Sequence, residues 1–455
     1  MAKPRRGDTV ELTIDDLAFG GEGVGRLDGY VMFVRGGIPG DRLRVRVVEA
    51  RGRYGRGVVE AVDRPSGDRV EPPCPYFGHC GGCRLQHVSY SAQLAFKEKQ
   101  VRDCLERLGG VETVEIRPIL PAPEPFGYRN KMEFTVARAE GATILGLHQA
   151  ERYDVVLDIE RCLLQSETMN RLLATLRTEA RARGLSVYDQ ETGQGLLRFA
   201  TLREGRRTGE AMVNIVASAP DVEHLGPVAQ ALEAAVPATT SVVLNVNAKK
   251  SNVAVGTEEH LLLGRDHIRE SLGGLTFEVS AGSFFQTNTV QAERLFGVVE
   301  TAAELGGNET VLDLYSGTGA ISLLLARRSR HVYGIEVSVE AVEDAVRNAR
   351  ANGIENCTFL AGEVRHVLPE LVRDGVRASV VVADPPRAGF HPKALAAVAA
   401  LAPERIVYVS CNPATLARDV GDLVQRGYRL EWAQPVDMFP QTPHIEAVAR
   451  LRRVV

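Results

Sequence analysis

The chain has 455 residues, 44% of them apolar, so it can bury large cores, and its length suggests two to four domains. A formal net charge of −4 at pH 7 excludes a protein that is basic over its whole surface, so any contact with nucleic acid must come from a local basic face. The polar stretch Met1 to Asp8 does not have the pattern of a signal peptide, and no apolar run approaches the length of a membrane span. We therefore expect a cytoplasmic protein without membrane contact.

Residues 8–62 have an all-β pattern in which short apolar runs alternate with glycine-rich turns. The run Arg42–Val47 alternates strictly, which would place three arginines on one face of a strand and Leu43, Val45 and Val47 in a core. Further basic residues, Arg51, Arg53 and Arg56, extend this face, and Tyr54 is available to stack on a base. The alternative is a solvated edge strand that its charges protect from pairing.

A linker rich in proline and glycine, residues 63–73, precedes a cluster of cysteines. Cys74, Cys80 and Cys83 are separated by five and two residues in a glycine-rich loop, so three thiolates can converge. Soft thiolates select zinc or an iron–sulfur cluster. The spacing differs from that of two paired CxxC knuckles, which disfavours a zinc ribbon, although His79 and His87 keep a mixed zinc site as an alternative.

A fourth ligand for this site must come from elsewhere in the chain. Cys162 is the best candidate, because a helical segment follows it and it lies at a domain-like joint. Cys104 is the competitor, but it lies in an amphipathic helix predicted over residues 90–108, where a cysteine usually fills a core. The surrounding region, 111–265, is a mixed α/β pattern without a catalytic signature, and the stretch Phe126–Phe134 fits an RNA contact and a strand entrance equally well.

A different pattern begins near residue 275. After a helix predicted over 291–305, a buried strand leads into a glycine loop that ends at Gly319 and into another helix. The loop contains no lysine, so it is not a phosphate-binding P-loop. The next strand ends in Glu336, where a carboxylate can accept hydrogen bonds from ribose hydroxyls. S-adenosyl-L-methionine (SAM) and a dinucleotide both fit this arrangement.

Two further buried strands end in chemically reactive residues. One leads into Asp384 and two prolines, and the other, Ile406–Ser410, leads into Cys411 and a helix-prone segment. Ligands bind at the carboxyl ends of strands in doubly wound α/β sheets, and a helix N-terminus favours a thiolate. Taken alone, Cys411 could simply pack a strand end, and Glu446 in the last predicted strand could be a surface carboxylate.

Taken together, these motifs resemble those of the RNA uracil-5-methyltransferases of the RumA/TrmA type, over nearly the whole chain. The motifs are Ser-Phe-Phe-Gln286, Asp-Leu-Tyr-Ser-Gly-Thr-Gly319, Asp-Pro-Pro-Arg387, Ser-Cys411-Asn-Pro and His-Ile-Glu446. The resemblance implies a multidomain α/β protein with three parts. These are an OB-like TRAM RNA-binding barrel (1–64), a central α+β domain with the cysteine cluster (65–265) and a Rossmann-like class I SAM-dependent methyltransferase domain (266–455).

The resemblance also implies residue roles. Cys411 would be the nucleophile that adds to C6 of uracil, and Glu446 the base that removes the C5 proton. The residues that would bind SAM are Gln286, Tyr315, Gly317, Gly319, Glu336 and Asp384. Ala320 stands where some relatives carry asparagine, which puts a side-chain contact from that position in doubt. Cys74, Cys80, Cys83 and Cys162 would hold a 4Fe-4S cluster with a structural or RNA-positioning role.

The implied product is 5-methyluridine in a uridine flipped out of folded RNA, made by a monomer. The barrel and cysteine cluster favour 23S rRNA as substrate, with tRNA as the alternative. A radical-SAM or redox enzyme would instead show CxxxCxxC spacing, whereas here the first gap is five residues. A non-catalytic, zinc-containing RNA-binding protein would have no reason to keep Cys411, Asp384 and Glu446 together at strand ends.

Overall fold

The computed structural model describes residues 3–111, 114–250 and 253–454. Its strands are β1 (Thr9–Leu17), β2 (Gly23–Leu27), β3 (Tyr30–Arg35), β4 (Arg42–Ala50), β5 (Tyr54–Arg64), β6 (Glu115–Ile116), β7 (Lys131–Ala139), β8 (Ala142–Gln149), β9 (Arg152–Asp158), β10 (Leu197–Glu204), β11 (Ala211–Ala217), β12 (Thr239–Val246), β13 (Glu258–Gly264), β14 (His267–Leu272), β15 (Leu275–Ser280), β16 (Thr310–Leu314), β17 (His331–Glu336), β18 (Cys357–Ala361), β19 (Val380–Ala383), β20 (Arg405–Ser410), β21 (Tyr428–Val436) and β22 (Glu446–Arg453). Its helices are α1 (Tyr90–Arg107), α2 (Glu167–Ala182), α3 (Val222–Ala235), α4 (Thr289–Ala303), α5 (Ala320–Ala326), α6 (Val339–Ala351), α7 (Val364–Arg373), α8 (Pro392–Leu401) and α9 (Pro413–Gln425). Within the described ranges, none of these helices is both long and apolar enough to cross a membrane.

The N-terminal strands form a closed barrel in the order β1-β2-β3-β5-β4. The alternation predicted in β4 is confirmed, because its aliphatic side chains are buried and its arginines are exposed. Each arginine, however, has a carboxylate partner: Arg42 pairs with Glu11, Arg44 with Asp63 and Arg46 with Glu60. This face of the barrel is therefore of mixed charge, and less basic than the arginine pattern alone predicted.

The central sheet has seven strands in the order β13-β12-β11-β10-β7-β8-β9. Helices α2 and α3 pack on it, and their apolar faces and the sheet share one core. The predicted domain limits remain predictions, and residues 1 and 455 lie outside the described ranges. Although α1 and β6 fall within 65–265, α1 packs against α9 and β6 pairs with β21, so both contribute to the C-terminal unit.

The C-terminal sheet has eight strands in the order β18-β17-β16-β19-β20-β22-β21-β6. Strands β16 to β20 are mutually parallel, and β22 runs antiparallel to β20. Apolar clusters cover both faces, which is why β16, β19 and β20 are buried at every residue. Strands β17 and β18 lie on one side of β16, whereas β19 and β20 lie on the other, so the strand order reverses between β16 and β19. A crevice is expected at the carboxyl ends of these two strands. The multidomain α/β architecture predicted from the sequence is confirmed.

Candidate active site

A cavity of about 1580 Å³ opens at the carboxyl edge of the C-terminal sheet. The register pairs Leu314 with Ala383 and Ala383 with Tyr408, so the residues that follow β16, β19 and β20 all emerge at this edge. Asp384 is fixed there by its main-chain amide, which donates to the carbonyl of Leu314 at 3.2 Å. The predicted site residues that line the cavity are Gln286, Tyr315, Gly317, Glu336, Asp384, Cys411 and Glu446.

Cys411 and Glu446 are brought together by strand register. In the antiparallel pair β20–β22, Ser410 lies opposite Ala447, so Cys411 and Glu446 come next at the same end of two neighbouring strands. Directly opposed residues in such pairs have Cα atoms about 4.5–5.5 Å apart. Glu446 is buried and Cys411 is half-buried. A thiol and a carboxylate therefore face one cavity from adjacent strands.

The acidic groups of this site have raised pKa values. Burial, together with the charges of Glu446 and Asp384, raises the pKa of the Cys411 thiol to about 11. Burial, with the charge of Asp384, also raises the pKa of Glu446 well above its ordinary value. Burial raises the pKa of Asp384 to about 7. At neutral pH the resting thiol is therefore protonated.

Arg387 is the positive group that opposes these shifts, since its charge lowers the pKa of both Cys411 and Glu446. It is exposed at the cavity wall. Arg387 ends the Asp-Pro-Pro-Arg motif, and no role is predicted for it from the sequence. The available signal was its position, three residues after Asp384 in a turn stiffened by two prolines.

The loop that carries Arg387 is held by the helix that follows Cys411. Asn412 and Thr415 donate side-chain hydrogen bonds to the carbonyl of Arg387, at 3.2 and 3.3 Å. The buried carboxylate of Asp419 accepts from the amide of Phe390 at 2.8 Å and from the hydroxyl of Tyr408 at 2.7 Å. Helix α9, which begins two residues after Cys411, thus holds the backbone of the loop that carries Arg387.

A second part of the cavity lies at the glycine loop. Glu336 accepts hydrogen bonds from the amides of Gly317 and Ser338, both at 3.0 Å, which fixes its carboxylate at the end of β17. Tyr315 lines the cavity with a φ of 66°, a left-handed conformation that costs a non-glycine residue energy and is common at functional sites. Gln286 is anchored through its carbonyl, which accepts from Asn130 at 2.8 Å.

Gly319 is the predicted binding residue that does not line the cavity. Its φ is 84°, and a Cβ built there would lie 3.0 Å from both Phe359 and Ala345. Glycine is therefore needed at this position for the turn into α5 and for close packing, whereas Gly317, whose φ is 53°, borders open space.

The four cysteines of the predicted cluster share one neighbourhood. Burial, together with the neighbouring thiols of Cys162, Cys80 and Cys74, raises the pKa of Cys83 to about 12. The loop is joined to β8, because the amide of Gly81 donates to the carbonyl of His148 at 3.0 Å. Within 3–111, 114–250 and 253–454, no group of three or more His, Cys, Asp or Glu side chains has the arrangement that holds a metal ion.

The alternative ligands lie elsewhere. Cys104 packs against the core of the C-terminal sheet, and its pKa is raised by burial and by Asp103, with no contribution from the four clustered thiols. His87 is buried against the ring of Phe77, at 5.2 Å between centroids, and burial lowers its pKa to about 4. Cys104 and His87 therefore lie apart from the neighbourhood of the four clustered cysteines.

Comparison with known proteins places these features in a family context. A family model described as tRNA (uracil-5-)-methyltransferase matches residues 89–454, and a TRAM domain model matches residues 3–59. The chain is 44% identical over 451 residues to an uncharacterized RNA methyltransferase of Halalkalibacterium halodurans, covering 99% of this chain and 98% of the relative. It is also 44% identical over 469 residues to one of Chlorobaculum tepidum, covering 99% and 97%.

A solved structure is similar over the same extent. The Pyrococcus abyssi tRNA (uracil-54, C5)-methyltransferase in complex with S-adenosyl-L-homocysteine superposes with a TM-score of 0.79 at 32% identity. The match covers 97% of this chain and 99% of that one. The similarity therefore extends over the barrel, the central sheet and the C-terminal sheet together.

Proposed function

We propose that this chain, which belongs to the RNA (uracil-5-)-methyltransferase family, methylates C5 of a specific uridine in 23S rRNA through a covalent adduct with Cys411. The single observation that carries the mechanism is the placement of Cys411 and Glu446 at adjacent strand ends in one cavity with the glycine loop and Glu336. A nucleophile, a base and a ribose-binding carboxylate are the groups that this reaction needs.

The chemistry accounts for each residue. SAM supplies an electrophilic methyl group on a sulfonium, and C5 of uracil is a poor nucleophile towards it. The Cys411 thiolate adds to C6, and the electrons of the C5–C6 double bond move into an enolate that makes C5 nucleophilic. C5 then takes the methyl group, and the C–S bond that held it breaks with its electron pair left on the sulfur as a neutral thioether. Glu446 removes the C5 proton, and the electrons of that C–H bond restore the double bond as the thiolate leaves.

The cofactor-binding roles follow from position in the cavity. Glu336 would bind the ribose hydroxyls, and Gln286 and Tyr315 would contact SAM from the facing walls. Gly317 allows close approach, whereas Gly319 acts through the shape of the loop. Asp384, between the glycine loop and Cys411, would orient SAM beside the uracil.

The finer question is which RNA is the substrate. The combination of barrel and cysteine loop favours 23S rRNA. A second candidate, tRNA, is favoured by the similarity to the Pyrococcus abyssi enzyme, whose stated target is uracil-54 of tRNA. Since one chain carries every residue of the proposed site, we expect a monomer, and we place the reaction in the cytoplasm.

Cys74, Cys80, Cys83 and Cys162 would hold a 4Fe-4S cluster. The thiols fit this group because Cys74 and Cys80 raise the pKa of both Cys83 and Cys162, so the four lie close enough to interact, and a metal removes that cost by binding the deprotonated form. When bound, the cluster would supply a rigid cross-link between the cysteine loop and the segment before α2. Methyl transfer moves no electrons to or from iron, so we assign the cluster a structural or RNA-positioning role.

The decisive experiment uses protein purified without oxygen, labelled SAM, and unmodified 23S rRNA and tRNA in separate reactions. Nucleosides are identified by mass spectrometry. 5-Methyluridine in rRNA alone supports the proposal, label in tRNA alone retains the mechanism and replaces the substrate, and no 5-methyluridine in either overturns the activity.

The role of Cys411 is tested with Cys411→Ala and the control Cys104→Ala. We expect Cys411→Ala to lower methyl transfer by about 10³-fold or more while RNA affinity is retained, since the nucleophile is lost and no binding group is. Loss of RNA binding instead, or activity equal to that of Cys104→Ala, would contradict a nucleophilic role.

A further inference from the structure

One wall of the active-site cavity is a segment with no regular secondary structure, Asp437–His444, here called the strap. It connects the end of β21 to Glu446 at the start of β22. Phe439 and His444 line the cavity from this segment. The strap therefore leads into Glu446 and closes the hairpin in which Val436 pairs with Glu446.

A polar face of α1 holds the strap. Tyr90, Gln93 and Lys97 are spaced three and four residues apart, so they project from one side of the helix. The hydroxyl of Tyr90 donates to Asp437 at 2.8 Å, and the ammonium of Lys97 donates to the same carboxylate at 2.5 Å. Gln93 and Lys97 are each only 1% exposed, so their polar groups bind protein atoms of the strap and its surroundings and not solvent.

Gln93 makes a reciprocal contact with Gln441. Its Nε2 donates to the side-chain oxygen of Gln441 at 3.0 Å, and its Oε1 accepts from the main-chain amide of Gln441 at 3.0 Å. Gln441 has a φ of 67°, so its backbone is held in a left-handed conformation between two prolines. Such a conformation persists only where the surroundings fix it.

The strap also meets the exit of the cysteine loop. The carbonyl of Gln441 accepts hydrogen bonds from the amides of Arg84 and Leu85, both at 3.0 Å, and these residues directly follow Cys83. Gln93 contacts the same exit of the cysteine loop, because its Nε2 also donates to the carbonyl of Leu85 at 3.0 Å. A single buried glutamine thus joins the cysteine loop and the strap.

We propose that Gln93 is a positioning residue for the methyl-transfer site, which places Glu446 through the strap and couples its position to the order of the cysteine loop. The proposal rests on the proposed function of the site. Gln93 touches no reacting atom, so its loss acts on the reaction by moving Glu446. Displacement of a catalytic group by about 1 Å can reduce a rate about 100-fold.

The first test compares Gln93→Leu with Gln100→Leu in the full-length protein. Gln100 lies on the same helix, but its Nε2 donates to the carbonyl of Leu17 in the barrel, so its replacement removes one hydrogen bond without touching the strap. We expect Gln93→Leu to lower kcat about 10- to 100-fold, with a SAM dissociation constant within about twofold of wild type. Gln100→Leu should retain kcat, and equal kcat values in the two variants would overturn the proposal.

A second readout is independent of turnover. The charge of Glu446 contributes to the pKa of Cys411, so displacement of Glu446 should move the pH profile of Cys411 alkylation to lower pH. Site-resolved mass spectrometry with iodoacetamide measures this in Gln93→Leu, and in Gln93→Glu if the leucine variant does not fold. A purely structural glutamine would lower the melting temperature and leave the profile unchanged, which would also overturn the proposal.

The coupling is tested by hydrogen exchange in Cys83→Ser and the matched control Cys104→Ser. We expect faster exchange in the peptide that contains the strap only when Cys83 is replaced. Equal exchange of the strap peptide in both variants would contradict the coupling between the cysteine loop and the strap. If wild-type protein makes no 5-methyluridine, the proposed function fails, whereas the exchange and alkylation results still decide whether Gln93 positions the strap.

Discussion

The main-chain amide of Gly317 donates a 3.0 Å hydrogen bond to Glu336, which ties the loop after β16 to the end of β17. The same carboxylate accepts from Ser338 through its other oxygen. Both oxygens are therefore held by main-chain donors from flanking segments, and each retains capacity to accept a hydroxyl. This is the local arrangement expected of a ribose-binding carboxylate.

Glu336→Gln tests that role. One side-chain oxygen becomes an amide that faces a main-chain N–H donor, so an acceptor is lost and a donor is left without a partner. Hydrogen bonds to charged groups contribute about 1.5–3 kcal/mol, so SAM should bind about 10- to 100-fold more weakly by calorimetry. Glu370→Gln on the exposed face of α7 is the control. Equal SAM affinities in both variants would mean that another residue makes the ribose contact.

The assignment of the fourth cluster ligand is tested by comparing Cys162→Ser with Cys104→Ser. Cys162 raises the pKa of Cys83, whereas Cys104 packs in another core. We expect anaerobically purified Cys162→Ser to lose most of its iron by elemental analysis, because an alcohol is a poor ligand for iron–sulfur clusters. Cys104→Ser should retain it. Iron lost from the Cys104 variant alone would reverse the assignment.

Much of this architecture was predictable from the sequence because parallel strands buried on both faces have a distinctive composition. The Val/Ile-rich runs before Asp384 and Cys411 predicted β19 and β20, and the strand-end rule predicted that both residues face one crevice. The register that places Glu446 beside Cys411 depends on β22 running antiparallel to β20. No local pattern indicates that direction, so Glu446 alone looked like a surface residue.

Long-range polar contacts were the part that sequence patterns did not reveal. Tyr90, Gln93 and Lys97 have the composition of a solvated helix face, yet they bind a segment 340 to 348 residues away along the chain. The arginines of β4 were predicted correctly as exposed, but their carboxylate partners lie on neighbouring strands. Partners of this kind are fixed only by the tertiary fold.

Glu446→Gln should separate thiol reactivity from turnover. The negative charge of Glu446 raises the pKa of Cys411, so its removal lowers that pKa and increases the thiolate fraction at any pH below it. The pKa of Glu446 is itself raised, so the effect should be largest at the alkaline end of the range, where the wild-type carboxylate is ionised.

Between pH 7 and 10, we expect Cys411 of Glu446→Gln to be alkylated about 3- to 10-fold faster than in wild type, while methyl transfer falls about 10²- to 10⁴-fold because the base is lost. Glu404→Gln, on the exposed residue that precedes β20, is the control. Slower alkylation in Glu446→Gln would show that Glu446 assists thiolate formation and would contradict this assignment of charges.

Arg387→Gln should act in the opposite direction. Its positive charge lowers the pKa of Cys411 and of Glu446, so removal raises both and leaves less thiolate and less carboxylate at pH 8. We expect Cys411 alkylation to slow about threefold, and methyl transfer to fall further because nucleophile and base are both affected. Arg373→Gln on the exposed side of α7 is the control.

The double variant Glu446→Gln/Arg387→Gln gives the sharper result. Because the two charges act on the same thiol with opposite sign, their removal together should return the alkylation rate towards that of wild type, although methyl transfer stays lost. An alkylation rate in Arg387→Gln equal to wild type, with the double variant as fast as Glu446→Gln, would mean that the guanidinium does not face the thiol.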